Sequence, residues 1–396
     1  MRITVRSGDS LWAISQWFQV PLVLLVDSNP AVQPQSLQPG QTLDVPGYMP
    51  TVYTVQPGDS LWSIAQSQGL PVDALLLANP GVVPASLYAG QPIALPQRVV
   101  QPIVRIRDRY DYAAMVEDLG RLSEVYPFLR QRTIGASVMG KPLPEVQIGR
   151  GAKRIHVNGS FHANEWITTP LLIRFLNDYL LAVTNQGAIR GLQMGQWYAT
   201  ATLSAVPMVN PDGVDLVVNG LPDEEPYRSE VLAINNGSSD FSLWKANIRG
   251  VDLNNQFPAG WEIEAERREQ QPAPANYPGA APLTEPEAQA IAQLTVESDF
   301  HRALAFHTQG EVIFWGFESL EPPESAVLVN EFARVSGYLP IQFVDSYAGY
   351  KDWFIQQWRR PGFTIEAGRG TNPLPFTQFE EIYQENLGIL LASLYM

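Results

Sequence analysis

The chain offers few imidazoles able to hold a metal, and two of them, with two glutamates, stand in suggestive places. It contains four histidines (His156, His162, His301 and His307) and no cysteine. Disulfides, thiolate metal sites and cysteine nucleophiles are therefore excluded, and any metal must be held by imidazole and carboxylate. His162 and Glu165 form an H-x-x-E pair directly after a strand-like stretch around 155–159. On a tight turn or helical start, residues three apart turn toward one point and supply one nitrogen and one oxygen ligand. Alone, that spacing is better read as a surface pair. His307 gives it weight, because it closes the apolar run Ala303-Leu304-Ala305-Phe306, where a strand end would aim it into the same mouth. Two imidazoles, one carboxylate and a water make an open, catalytic site for one zinc ion. Hydrolysis there also needs a group that takes a proton from water and returns it to the leaving amine. Glu366 closes the run Phe363-Thr364-Ile365, and a carboxylate among apolar residues is costly unless paired or used. It is the candidate base.

Other chemistries fall away. Gly135-Ala136-Ser137-Val138-Met139-Gly140-Lys141 begins like a phosphate loop, but Pro142 replaces the hydroxyl residue and opposes a following helix. G-x-S-x-G and H-E-x-x-H are absent, and Gly368-Arg369-Gly370 lacks the third glycine of a dinucleotide fingerprint. The formal charge of −14 argues against a broad grip on nucleic acid or an anionic membrane. Apolar runs fall far short of the ~18 residues of a membrane span. The N-terminus has no apolar signal-peptide core, so the expectation is a soluble, cytoplasmic protein, with spore or cell-wall association as the route to an external substrate.

The elements that position these groups begin with a duplication. Residues 3–46 align without gaps on 53–96 with 20 identities in 44 positions, all at an offset of 50. Each copy reads as strand, helix, helix, strand: a short β run, a Gly-Asp-Ser helix start, apolar residues three apart (Leu11 and Ile14, Leu61 and Ile64), an Asn-Pro stop and a closing strand. A core of about 45 residues with no catalytic pair suits binding better than chemistry. Up to Gln97 the copies hold two basic and five acidic residues, so polyanion attraction is not the mechanism.

The repeated Gly-Asp-Ser-Leu-Trp and Asn-Pro pattern resembles the LysM module, which binds N-acetylglucosamine-containing glycans such as peptidoglycan or chitin. The resemblance implies a groove between the strand-to-helix loop and the loop after the second helix. Its candidate residues are Gly8, Asp9, Ser10, Asn29 and Pro30 in one copy, and Gly58, Asp59, Ser60, Asn79 and Pro80 in the other. Taken singly, Gly, Asp and Pro are more often caps and turns than ligands. The expected modules are residues 1–48 and 49–97, with a linker at 98–107.

Residues 108–396 form the large domain. A helical period opens it at 110–130, after which strand-like runs (145–148, 154–159, 201–209, 303–307, 362–366) alternate with helical ones (169–183, 285–299, 325–337, 379–394). The expected fold class is α/β, a three-layer α/β/α sandwich with its site at the carboxyl ends of strands. Loops at 219–239 and 257–282 are placed to wall a cleft.

The motifs His162-x-x-Glu165-Trp166, Val209-Asn210-Pro211-Asp212-Gly213, Val251-Asp252-Leu253-Asn254, His307, Asp352-Trp353 and Phe363-Thr364-Ile365-Glu366 resemble, in this order, those of zinc metallocarboxypeptidases. The resemblance implies a mixed central sheet, zinc ligands His162, Glu165 and His307, and Glu366 as base and proton shuttle. Where the family carries a transition-state arginine after tryptophan, Trp244 is followed by Lys245, a point charge without the bidentate fork. Asn254-Asn255 lacks the arginine that clamps a terminal carboxylate, and Asn164 replaces another. Tyr347 or Tyr350 could stand for the family's mobile tyrosine. Lys351 falls where the family lines the pocket beyond the cut, and Lys351 and Arg369 are candidate partners for a substrate carboxylate. With two LysM-like repeats and no terminal-carboxylate clamp, the chain resembles the γ-D-glutamyl-L-diamino acid endopeptidases. The resemblance implies cleavage of the γ-D-glutamyl to diaminopimelate or lysine amide in peptidoglycan stem peptides or muropeptides. The rival expectations are an ordinary carboxypeptidase acting on protein C-termini and a catalytically silent glycan-binding protein.

Overall fold

A computed structural model describes residues 1–396. The chain divides into two compact units. One holds Met1–Val104, Leu119–Arg130 and Asn177–Gln196, and the other Arg105–Asp118, Gln131–Leu176 and Trp197–Met396. No helix is long and apolar enough to cross a membrane.

In the first unit each repeat folds as strand, helix, helix, strand. Strand β1 (Arg2–Thr4) pairs antiparallel with β2 (Thr42–Asp44), and β3 (Tyr48–Thr54) with β4 (Pro92–Arg98). Ser10 and Ser60 cap the helices Leu11–Phe18 and Leu61–Ser67, accepting from the N–H of Ala13 and Ser63 at 3.1 Å. Leu11, Ile14 and Phe18 fall on one buried face. The second helices, Leu22–Asp27 and Val72–Ala78, are followed by the two asparagines. The repeats share a core: Ala74 and Leu77 of the second pack with the apolar residues of the first, and Asp73 pairs with Arg6 at 2.7 Å. A short ladder, β8 (Ala188–Ile189) with β9 (Leu192–Gln193), also belongs to this unit.

The second unit is built on an eight-stranded mixed sheet. Its strands are β5 (Arg130–Ala136), β6 (Pro142–Gly149), β7 (Lys153–Gly159), β10 (Ala201–Val206), β11 (Arg302–His307), β12 (Val312–Phe314), β13 (Leu339–Ile341) and β14 (Gly362–Glu366). Their order is β13-β12-β14-β11-β7-β10-β6-β5. The four middle strands β14, β11, β7 and β10 are parallel, and every residue of β11 is buried. That explains the apolar run Ala303–Phe306 of β11: a strand covered on both faces has no solvent side to alternate with.

Two sequence expectations give way here. The loop expected at 257–282 contains a helix, Trp261–Arg267, whose buried residue is the charged Glu264, and the one at 219–239 contains Tyr227–Ile234. The helix Tyr350–Trp358 escapes the periodic pattern because Tyr350 through Ile355 are all buried, leaving no polar face to set a period. The glycine-rich stretch at 135–141 is the turn of the β5–β6 hairpin, with Gly140 at φ +83°.

Candidate metal centre

The centre is assembled at the carboxyl ends of β7, β11 and β14, neighbours in the sheet. Parallel register places Phe306 beside Gly159 and His307 beside Glu366. After β7 the chain must turn within three residues. A Cβ on Gly159 would meet the Thr168 hydroxyl at 3.0 Å and the Pro207 carbonyl at 3.1 Å, so any larger residue would crowd this strand end. Ser160 follows with φ 50°, held by its N–H to the Thr168 hydroxyl at 2.8 Å. A one-turn 3₁₀ helix, Ala163–Glu165, then brings His162 and Glu165 to the same side. Asn210 binds the turn from behind, its side-chain amide donating to the carbonyls of Phe161 and Ala246.

His162 Nδ1 lies 2.8 Å from Glu165 Oε1, His307 Nδ1 lies 2.9 Å from Glu165 Oε2, and the two ring nitrogens are 3.2 Å apart. All three residues are buried. Two imidazole nitrogens cannot share so small a space without a cation or proton between them, and the His, Glu, His donor set suits zinc. His162, Glu165 and His307 are the zinc-binding triad of this chain.

The electrostatics of the cluster follow from its neighbours. Burial alone would lower His162, but Glu165 and Asp252 outweigh it and raise the imidazole above its ordinary value. His307 is lowered by burial. Asp252, buried, faces His162 Nε2 at 3.2 Å and fixes the proton there, leaving Nδ1 free to ligate. Burial opposes the charge of Asp252, yet His162 and Lys245 hold its carboxyl well below the usual range. No local spacing announces this role, since Asp252 lies 90 residues from His162. Asp252 stands in a motif the sequence shows without its role, whereas Asn372 is a residue that sequence reasoning missed; its amide lies 3.4 Å from Glu165 Oε1 and donates to the Thr308 carbonyl.

Glu366 is half-buried, and its carboxylate makes no hydrogen bond within the chain. Burial and the nearby Glu165 charge push it above the usual carboxylate range. Lys245 is tied to the metal loop by its carbonyl, which accepts from the Ala163 N–H at 3.0 Å. Burial would lower its ammonium, but Asp252, Glu165 and Glu366 outweigh that and keep it charged.

The remaining candidates separate sharply. Asn255 is buried, and its side chain makes no hydrogen bond within the chain, whereas Asn254 accepts from the Tyr350 N–H at 3.2 Å. Tyr347 helps line a cavity of about 340 Å³ with Gly316, Phe317 and Phe343. Tyr350 is a core residue, its hydroxyl 3.0 Å from that of Thr295. Lys351 does not present a free ammonium. It is 5% exposed, lies 2.5 Å from Asp352 Oδ1 and donates to the Gly316 carbonyl at 2.7 Å, so it braces the cavity wall from behind. Arg369 stands on the surface, paired with Glu311.

The repeats also sort their residues. Asn29 donates to the carbonyls of Leu25 and Asp44 and accepts from the Asp44 N–H; Asn79 repeats this with Leu75 and Ala94. Asp9 accepts from Arg6, and Asp59 from Gln56 and Tyr53. These four side chains are spent on the fold, and Ser10 and Ser60 on capping. What faces solvent is Gly8, Gly58, Pro30, Pro80 and two indoles at matching positions, Trp12 at 64% and Trp62 at 65% exposure.

Comparisons with known proteins agree with this geometry. The zinc carboxypeptidase family model matches residues 115–388, and the LysM domain model matches 3–46 and 53–96. Gamma-D-glutamyl-L-diamino acid endopeptidase 1 of Lysinibacillus sphaericus is 62% identical over 396 residues, spanning the whole of both chains. The uncharacterized protein YqgT of Bacillus subtilis (strain 168) is 44% identical over 290 residues, 72% of this chain and 77% of that one. Among solved structures, the bovine thrombin-activatable fibrinolysis inhibitor in complex with tick carboxypeptidase inhibitor superposes with a TM-score of 0.53 at 17% identity, over 72% of this chain and 94% of that one. The carboxypeptidase A of Helicoverpa armigera does so with 0.53 at 16%, over 72% and 73%. At such identities the likeness is one of fold. With the metal triad, the sheet order and the family match in agreement, the chain belongs to the zinc carboxypeptidase family and carries two LysM domains at its N-terminal end.

Proposed function

We propose that this protein is a zinc peptidase that hydrolyses the γ-D-glutamyl amide to a diamino acid in peptidoglycan stem peptides, while its LysM domains hold the N-acetylglucosamine-containing glycan. The observation that carries the substrate is the full-length, 62% likeness to an endopeptidase named for that bond. Asn255 supports it, because an uncharged residue stands where an ordinary carboxypeptidase clamps a terminal carboxylate.

When bound, zinc supplies Lewis acidity toward the amide carbonyl and makes water more acidic. Asp252 keeps the His162 proton on Nε2 and so orients the imidazole. Glu366 takes a proton from the attacking water and delivers it to the leaving amide nitrogen, so a C–O bond forms as the C–N bond breaks. The Lys245 ammonium faces the charge that develops on the carbonyl oxygen. Its surroundings keep it protonated for that task.

Mass spectrometry of purified muropeptides is the test. Incubation with the protein should release the diamino acid portion from γ-D-glutamate, and a chelator should stop it. Faster trimming of an unbranched α-linked peptide than of the muropeptide would favour a carboxypeptidase instead. For the glycan, replacing both Trp12 and Trp62 by alanine should cut retention on insoluble peptidoglycan about tenfold, since stacking of an indole on a sugar face resembles other aromatic contacts of about 0.5–1.5 kcal/mol each. Both side chains are exposed, so the melting temperature should hold; unchanged retention would move the glycan site elsewhere.

A further inference from the structure

The protein carries a net charge of −14, yet the proposed substrate is anionic, so a local cation must receive it. Most cations of the second unit are already spent. Lys351 is neutralised by Asp352, Arg369 by Glu311 and Arg249 faces Glu285. Arg267 is used almost completely: Nε and Nη2 bind Glu264 Oε2, and Nη1 binds Asp345. Its neighbour Arg268 differs. It binds Glu264 Oε1 through Nε at 2.7 Å and Nη2 at 2.6 Å, which leaves three of its five N–H donors without a partner. Its side chain is 33% exposed, whereas that of Glu264 is fully buried.

The placement is built. Glu264 holds both guanidiniums and also accepts from the Tyr347 N–H at 3.2 Å, so the cavity that Tyr347 lines and Arg268 share one anchor. The segment that follows Arg268 runs along the metal loops. The Pro274 carbonyl accepts from the N–H groups of Lys245 and Ala246, the Asn276 N–H donates to Asp252 Oδ2, and the Tyr277 carbonyl accepts from the Asp252 N–H. Two guanidiniums face the two carboxylates of Glu264 and Asp345, and the unused donors of the pair are those of Arg268.

We infer that Arg268, held in place by Glu264, is the receptor for a substrate carboxylate beside the scissile amide, taking over the task of the clamp that Asn255 lacks. The inference rests on the proposed peptidase reading and specifies its selectivity. The planar fork suits bidentate pairing with a carboxylate, and a carboxamide would forfeit the charge. A γ-linked stem peptide has two such groups near the cut: the α-carboxylate of D-glutamate and a carboxylate of the diamino acid.

The test uses the full-length zinc protein and three stem tripeptides: unmodified, amidated at the D-glutamate α-carboxylate, and amidated at the diamino acid carboxylate. Wild type should prefer the unmodified peptide to one of the amides by about 10- to 100-fold in kcat/KM, the range of a hydrogen-bonded charge. Which amide suffers identifies the carboxylate. Arg268→Gln should reduce that preference to about one, mainly through KM, and Arg268→Lys should restore part of it. Zinc content should match wild type in both variants, and Arg268→Lys, which keeps a cation against Glu264, should hold the melting temperature, which separates binding from misfolding. If wild type cleaves the peptides but shows no preference, or Arg268→Gln retains it, the inference fails alone. If wild type cleaves none of the three, the peptidase reading fails and the inference with it.

Discussion

Glu366→Gln should lower the rate of muropeptide hydrolysis by about 10²- to 10⁴-fold while the protein keeps its zinc, the range expected when a general base is removed. The replacement is nearly isosteric but cannot accept the proton of water. Glu366 lies beside His307 at adjacent strand ends without belonging to the triad, so metal binding has no reason to fall. Stability should not fall either, because the Glu366 carboxylate makes no hydrogen bond within the chain that the amide would lose. Initial rates by chromatography, paired with metal analysis, separate these effects. More than a tenth of wild-type activity with full zinc content would remove Glu366 from the role of base, and loss of zinc would assign it to the metal instead.

Stripping the metal should have an effect at least as large. Chelation should abolish hydrolysis, and about one equivalent of zinc should restore it, since the three ligands leave a position open for water. The stripped protein should also melt at a lower temperature. A ligand bound only to the native state at a hundred times its Kd adds about 2.7 kcal/mol, and without it Glu165 and two imidazoles are left facing each other in a buried site. Because the ligands must shed protons to bind metal, zinc loading should tighten as pH rises. Rates and thermal unfolding before and after re-addition decide the matter. Activity that survives complete demetallation would refute the zinc mechanism.

Much of the centre was legible in the chain because its groups terminate strongly apolar strands. His307 and Glu366 close runs that are buried on both faces, and parallel register sets them side by side. His162 and Glu165 needed only a single turn to converge. The helices with a solvent face were equally readable, for example Pro286–Ser298 and Pro323–Ser336. Periodicity failed where burial was complete, as in Tyr350–Trp358, and where a charged residue took the buried position, as Glu264 does in Trp261–Arg267.

The sequence by itself determined the duplication, the strand ends, the chemical types of the metal ligands and the absence of a clamp at Asn255. It could not determine which polar groups remain available for substrate. Lys351 and Arg268 look alike as cations in loops or at helix ends. Folding places Asp352 and the Gly316 carbonyl against the first, and holds the second on Glu264 with donors unused. In the same way Asn29 and Asn79 are closed off by strands 15 residues away, while Trp12 and Trp62 stay open. The reason is physical: apolar period is a local property, whereas a polar group is free or spent according to partners that only tertiary packing brings within 3 Å or so.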